Sequence, residues 1–164
     1  MNIVIALIQP LRIGQTSHNF LALQVKQTAE TSITINLEPE EIQKKYKNDL
    51  EQTVSGPLYE VISRLLKSII GISVILPDGF RSNKGLEAVK CSCKTSDGYL
   101  YPLNTAFLFI YKPVNYIKHS EISSIGLQRI SECLNSTGRT FDILIETKKE
   151  GQTTTLSGID KDEY

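Results

Sequence analysis

Residues 55–71, SGPLYEVISRLLKSIIG, carry the strongest periodic signal in the chain. Leu58, Val61, Ile62, Leu65, Leu66 and Ile69 fall at i, i+3, i+4, i+7, i+8 and i+11. That spacing lays one broad apolar stripe along an α-helix. Ser55 or Gly56 suits its cap, Pro57 its first turn and Gly71 its end. A helix this apolar on one side must lie on another element, and the strands ahead of it are the obvious partner.

Those strands show period-two patterning. NIVIALIQ (2–9) is apolar and β-branched, and PLRIGQTS supplies a Pro/Gly turn. HNFLALQVK (18–26) alternates, with Phe20, Ala22 and Gln24 on one face and Leu21, Leu23 and Val25 on the other. TSITINL (31–37) turns Ile33, Ile35 and Leu37 one way. An antiparallel meander is expected. EPEEIQKKYKNDL (38–50) has Pro39 at a first turn, acids ahead of bases, and a thin stripe of Ile42, Tyr46 and Leu50. It predicts a short surface helix.

Beyond the long helix the strands resume: ISVIL (72–76), a PDG turn and an FRSNKG loop (80–85), then LEAVKCSCK (86–94). SDG is expected to turn the chain into YLYPL, followed by NTAFLFIYK (104–112), HSEISSIGL (119–127), RTFDILIET (139–147), a KKEG turn and QTTTLSGI (152–159). DKDEY (160–164) reads as the first turn of a helix, with Asp160 as cap and Glu163 at the third position. The same architecture therefore occurs nearly twice, without a direct residue repeat. Gly71, Pro77, Asp78, Gly79 and Gly85 cluster at the expected boundary. The reading is mainly β (α+β), with modules at 1–71 and 72–164.

Chemistry is sparse. In a strand, Val89, Cys91 and Cys93 share one face while Lys90, Ser92 and Lys94 share the other. This is an apolar-in pattern, and free cysteine packs as a small hydrophobe. A structural zinc site wants four ligands, usually in pairs with two to four intervening residues. Here the spacing is one, Cys133 stands alone, and His18 and His119 have no partner at ligand spacing. There is no CxxC redox pair, no GxSxG elbow around His119, Ser120 and Glu121, and no phosphate loop. No cofactor and no enzymatic role is expected.

Three cysteines, an odd number, argue against a disulfide framework and fit a reducing compartment. The start shows no signal peptide, and no stretch approaches a membrane span. The formal net charge is zero, so the total gives no pull towards nucleic acid or an anionic membrane. The charge is uneven, however. Lys90, Lys94, Lys112 and Lys118 face one acid, Asp97, over residues 90–119, and Arg129, Arg139, Lys148 and Lys149 follow. Asp142, Glu146 and Glu150 interleave with the later bases, as on a solvated sheet face.

RIGQT (12–16), SGPLYEVISRLLK (55–67), the C-x-C followed by GYLYPL, KP at 112–113, EIS at 121–123, RTFDILIETK and the closing ID-KDEY occur in order along essentially the whole chain. Together they resemble the middle domain of the structure-specific recognition protein, a subunit of the FACT histone chaperone. The resemblance implies tandem pleckstrin-homology-like modules, each a curved antiparallel sandwich or partly open barrel capped by a C-terminal helix. It implies a non-catalytic, nuclear, chromosome-associated function. The implied partners are core histones and the large FACT subunit, with DNA and replication factors as further candidates and no membrane.

The match begins part-way into the first sheet and breaks off in the second closing helix. A piece of a longer subunit is therefore expected, without the family's N-terminal dimerisation region and its acidic and high-mobility-group tail. The loop RISECLNSTGR (129–139) looks longer than usual. The candidate contact residues are Arg12, Gln15 and Thr16 in the first module and Lys112, Lys118 and Arg129 in the second, chosen for exposure and charge. Two other readings stay open: an architectural scaffold, and a phosphoinositide-binding module. The latter is disfavoured because residues 9–18 hold one arginine, one histidine and no lysine.

Overall fold

The computed structural model describes residues 1–47, 49–72, 74–130, 138–149 and 151–164. It divides into two compact units, Met1–Ile75 and Leu76–Tyr164.

In the first unit, β1 (Asn2–Ile13) and β2 (Thr16–Gln24) form an antiparallel hairpin. Its tight turn is Gly14–Gln15, with Gly14 at φ 60°. The expected turn at PLRIGQTS is thus shorter, because Pro10 is absorbed by a bulge between Ala6 and Leu11. A bulge is where a residue without an N–H is tolerated in a sheet. β3 (Glu30–Thr34) pairs with β4 (Thr53–Pro57), and α1 (Pro39–Tyr46) lies between them in sequence. α2 (Leu58–Ile70) follows β4 directly.

The α2 start corrects the sequence reading. Ser55 and Gly56 are held in β4 by pairing with Ser32 and Thr31, so they cannot cap the helix. Pro57 takes the cap position, with no side-chain capping bond. The end is as expected: Gly71 is left-handed at φ 73°, and its N–H donates to the Lys67 carbonyl at 2.8 Å. The core of this unit consists of Ile42, Leu50, Val54 and Val61, backed by Ile35, Tyr46 and Leu65. Only part of the α2 stripe is covered, since Ile69 stays 61% exposed. The expected ISVIL strand does not form among the described residues of 72–76. Ile72, Val74, Ile75 and Leu76 are exposed there. β-branched composition suits a strand only where another strand is present to pair with it.

The second unit is one curled antiparallel sheet of seven strands. β5 (Val89–Cys93), β6 (Ser96–Pro102), β7 (Ala106–Ile110) and β8 (Asn115–Lys118) form one meander. β9 (Ile122–Gln128), β10 (Thr140–Thr147) and β11 (Thr153–Asp160) form another. The order is β8-β7-β6-β5-β11-β10-β9, with β11 beside β5. Curling is visible in one bond: the Asn115 Nδ2–H donates to Thr154 Oγ1 at 3.3 Å, joining β8 to the non-neighbouring β11. Inward residues from every strand, among them Cys91, Leu100, Phe109, Ile117, Phe141, Ile145, Leu156 and Ile159, make the core.

Three local expectations change here. SDG is not the turn. Lys94–Thr95 is, with Lys94 at φ 56° and Cys93 paired to Ser96. Gly98 instead sits inside β6, where a Cβ would strike the Ile110 carbonyl and the Phe109 ring. β8 is a strand the sequence pattern did not reveal. His119–Glu121 is a 3-10 turn, so the strand expected from 119 begins at Ile122. At the end, Lys161–Glu163 forms a 3-10 turn. Asp160 caps it by accepting from the Asp162 N–H at 3.2 Å, but the Glu163 carboxylate accepts from the Asn83 N–H at 2.9 Å rather than closing a capping box. Of the loop expected to be long, residues 131–137, including Cys133, lie outside the described residues.

Candidate functional site

The cysteines fill the inside of β5. Cys91 is 3% exposed and Cys93 is 2% exposed. Burial, reinforced by neighbouring Cys93 and opposed only by a backbone hydrogen bond from Leu100, pushes the Cys91 thiol up to about 12. Burial likewise raises Cys93. Neither is a reactive thiolate at neutral pH. Among the described residues no cluster of three or more His, Cys, Asp or Glu could hold a metal ion, and no helix is long and apolar enough to cross a membrane.

The expected contact residues fall into separate places. Arg12, Gln15 and Thr16 are exposed around the β1–β2 turn of the first unit, with Arg12 paired to Ser17 and Ile13 to Thr16. In the second unit Lys112 lies in the β7–β8 connection, next to a cis peptide bond with Pro113. Lys118 ends β8. β8 is an edge strand of four residues, with Lys118 at its end and Lys112 three residues ahead of its start. Both are exposed.

Arg129 is different in kind. It follows β9, at the other edge of the sheet, with φ 61°. Its Nε–H donates to Asp142 Oδ2 at 2.9 Å, and its terminal nitrogen donates to Asp142 Oδ1 at 2.5 Å. The Gly158 N–H donates to the same Oδ1 at 2.9 Å. Burial pushes the Asp142 carboxyl up. The Arg129 hydrogen bonds, the Gly158 amide and the guanidinium charge outweigh it and hold the group below the ordinary carboxylate range. A bidentate pair of this kind fixes the guanidinium plane. Arg129 therefore ties β9 to β10 and, through Asp142, to β11; its charge is already matched within the unit.

A second cationic feature emerges only in three dimensions. A concavity of about 460 Å³ is lined by Lys84, Lys90, Arg139 and Lys161, with Ser92, Thr140, Gly158 and Asp160. Three stretches of sequence, 84–92, 139–140 and 158–161, build it. Lys90 lies on the outer face of β5. Arg139 and Thr140 open β10, with Thr140 paired to Asp160 of β11. The 82–86 turn brings Lys84. Backbone bonds hold these segments: the Lys161 N–H donates to the Arg139 carbonyl at 3.0 Å, and the Asn83–Glu163 bond clamps the turn to the chain end. Lys84 stands 3.4 Å from Asp160. The Asp162 amide, against slight burial, and the charges of Lys84 and Lys161 hold the Asp160 carboxyl low. Lys90, Arg139 and Lys161 form no ion pair within 4.0 Å among the described residues. The sequence reading counted Lys90 and Arg139 but not Lys84 or Lys161, and it could not gather them, because β-strand pairing brings together residues 90, 139 and 161 without any local spacing. In the first unit a smaller hollow, about 280 Å³, mixes Asp49 and Glu51 with Arg64 and Lys67 and has no net sign.

The family model described as SSRP1 PH domain matches residues 1–74, and that described as histone chaperone Rttp106-like, middle domain, matches residues 87–164. The FACT complex subunits SSRP1 of Homo sapiens and Gallus gallus are each 37% identical over 164 residues, covering 100% of this chain and 22% of theirs. The FACT complex subunit POB3 of Saccharomyces cerevisiae is 37% identical over 161 residues, covering 98% of this chain and 29% of its own. The chain thus spans between a fifth and a third of the length of these relatives.

Proposed function

The chain belongs to the SSRP1/POB3 family, with its PH domain and its Rttp106-like middle domain in that order, and on this premise we propose that it is a non-catalytic chromatin-binding domain of a FACT-type histone chaperone subunit. It contacts core histones or other chromatin factors while nucleosomes are reorganised in transcription, replication and repair, and it works in the nucleus beside the large FACT subunit. One observation carries this reading: the match to subunits named for that complex runs the length of the chain. The physical properties are compatible with it. Cys91 and Cys93 are buried, so on this reading recognition falls to surface side chains.

On this reading the contact residues are Arg12, Gln15 and Thr16 around the β1–β2 turn of the first unit and, separately in the second unit, Lys112 in the β7–β8 connection and Lys118 at the end of β8. Arg129 contributes by holding the β9–β10 edge in shape rather than by offering a charge. The second reading, an architectural scaffold, is favoured by the zero net charge and by Arg129 being matched internally. Fluorescence titration of the chain with core histones, at two salt concentrations, separates the two. Saturable binding that survives moderate salt and weakens with Arg12→Glu or Lys118→Glu is expected. A folded chain that binds no histone is a scaffold.

A further inference from the structure

We propose that Asp78–Gly79 is a modification site, where the backbone rearranges through a succinimide to isoaspartate and so becomes a substrate for an S-adenosylmethionine-dependent isoaspartyl methyltransferase. The sequence holds two Asp-Gly pairs, Asp78–Gly79 and Asp97–Gly98. The residues are the same and their surroundings are opposite. Glycine has no side chain to shield its amide nitrogen. That nitrogen can attack the carboxyl carbon of the preceding aspartate. A C–N bond forms, a carboxyl C–O bond breaks, and the oxygen leaves as water with the carboxyl and amide protons. Water then reopens the succinimide ring. Opening at the side-chain carbonyl restores aspartate. Opening at the main-chain carbonyl routes the chain through the aspartate side chain, adds a methylene to the backbone and frees the α-carboxylate. The water taken up equals the water released, and no oxidant or reductant takes part.

Attack requires an unengaged carboxyl and a backbone that can swing the nitrogen over it. Asp78 and Gly79 are both exposed, in the connection between α2 and β5, outside any helix or strand. Neither makes a hydrogen bond among the described residues. A Cβ at Gly79 would come no closer than 3.5 Å to its nearest neighbour, Asn104 Oδ1, so nothing is packed tightly on the pair. Asp97–Gly98 lacks this freedom. The Asp97 carboxylate accepts from the Ser92 hydroxyl at 2.6 Å. Both residues lie in β6, opposite Ser92 and Cys91, where strand pairing holds the backbone extended. Gly98 is also buried, against the Ile110 carbonyl and the Phe109 ring. The change at Asp78 falls ahead of an anchored stretch. Phe80 packs on the core of the second unit, and the N–H of buried Ser82 donates to the Leu86 carbonyl at 2.8 Å. The added methylene therefore enters on the solvent side of that anchor, and the freed α-carboxylate stays accessible to a methyl-transferring enzyme.

The inference rests on neither the histone nor the scaffold reading, because its readout is covalent. The intact chain is aged for weeks at physiological temperature and pH, once native and once unfolded in guanidinium chloride. Tryptic peptides are mapped for the succinimide, lighter by one water, and for isoaspartate by electron-transfer fragmentation. Methyl acceptance is counted with an isoaspartyl methyltransferase and tritiated S-adenosylmethionine. In the native chain isoaspartate is expected to form at least about tenfold faster at Asp78 than at Asp97, the ratio set by a barrier difference of about 1.4 kcal/mol. In the unfolded chain the two rates should converge. Asp78→Glu keeps the charge at an exposed position and should remove most of the methyl acceptance of the aged native chain, with a thermal melt to confirm that the fold is kept. Equal native rates at the two sites overturn the proposal. So does an Asp78 that stays unmodified in the native chain while it reacts in the unfolded one, and so does methyl acceptance that survives Asp78→Glu.

Discussion

Replacing Gly98 by alanine tests whether the second unit is closed as described. Gly98 does not need its conformational freedom, since its φ is not positive; it needs its missing side chain. A Cβ there would stand 2.6 Å from Phe109 Cζ and 2.8 Å from the Ile110 carbonyl carbon, with the carbonyl oxygen nearer still. Carbon atoms pack best at about 3.5–4.0 Å, so roughly 1 Å of movement is required. Phe109 is 2% exposed and Ile110 is 4% exposed, and part of what must move is β7 backbone. Overpacking a close-packed core costs about 1–3 kcal/mol, and a rigid neighbour puts this site in the upper half. Against this, alanine narrows the unfolded ensemble and returns about 0.4–1 kcal/mol. The net expectation is a loss of about 2 kcal/mol, or roughly 8–16 °C in the melting temperature of a domain this size.

Gly126→Ala is the internal control, because its Cβ would meet only Leu144 Cβ at 3.9 Å, an ordinary contact. It should melt with the wild type or slightly above it. Hydrogen-exchange mass spectrometry on β6 and β7 peptides assigns the change to the second unit. If Gly98→Ala melts at or above the wild-type temperature, the close approach of β7 to β6 is wrong, and with it the placement of Phe109 over Gly98.

Two further outcomes follow from the site geometry. Asp142 has a lowered folded pKa, so its contribution to stability is full above the unfolded carboxylate value, about 3.9, and disappears as pH falls through the folded value. The melting-temperature gap between wild type and Asp142→Asn should therefore be widest near neutral pH and close below about pH 4; a gap constant from pH 7 to pH 2 would refute the ion pair. Cys91 and Cys93 should resist iodoacetamide at pH 8 in the native state and react once urea unfolds the chain, with peptide mapping reading each site separately. Rapid native labelling of either would contradict their burial.

What could be read from the sequence was what depends on periodicity. The α2 stripe, the inward face of Val89, Cys91 and Cys93, and the alternating runs that became β2, β10 and β11 were legible because side chains repeat at 3.6 or 2.0 residues. Errors gathered where tertiary pairing decided. Ser55 and Gly56 have good capping chemistry, but β3 recruits them into a sheet. ISVIL has good strand chemistry but its described residues pair with no strand. SDG has good turn chemistry, yet the hairpin turns two residues earlier because Gly98 is needed inside β6.

The same division governs the charged surface. Arg129 and Lys90 are indistinguishable as exposed bases in the sequence, but folding gives them opposite roles. β9–β10 pairing sets Gln128 opposite Asp142, which delivers the carboxylate to Arg129, and the pair fixes an edge of the sheet. β5–β11 pairing sets Ser92 opposite Ser157, and the chain end then carries Lys161 back over Arg139, so Lys90 gains cationic neighbours instead of a partner. A base beside a carboxylate contributes to stability and is silent towards ligands. A base held among other bases is destabilised by mutual repulsion, a cost that an anion relieves. Neutralising Lys90 or Arg139 should therefore leave the melting temperature unchanged or raise it slightly, whereas neutralising Arg129 should lower it. Opposite signs from three exposed cations on one sheet would separate the residues that hold the fold from those free to bind.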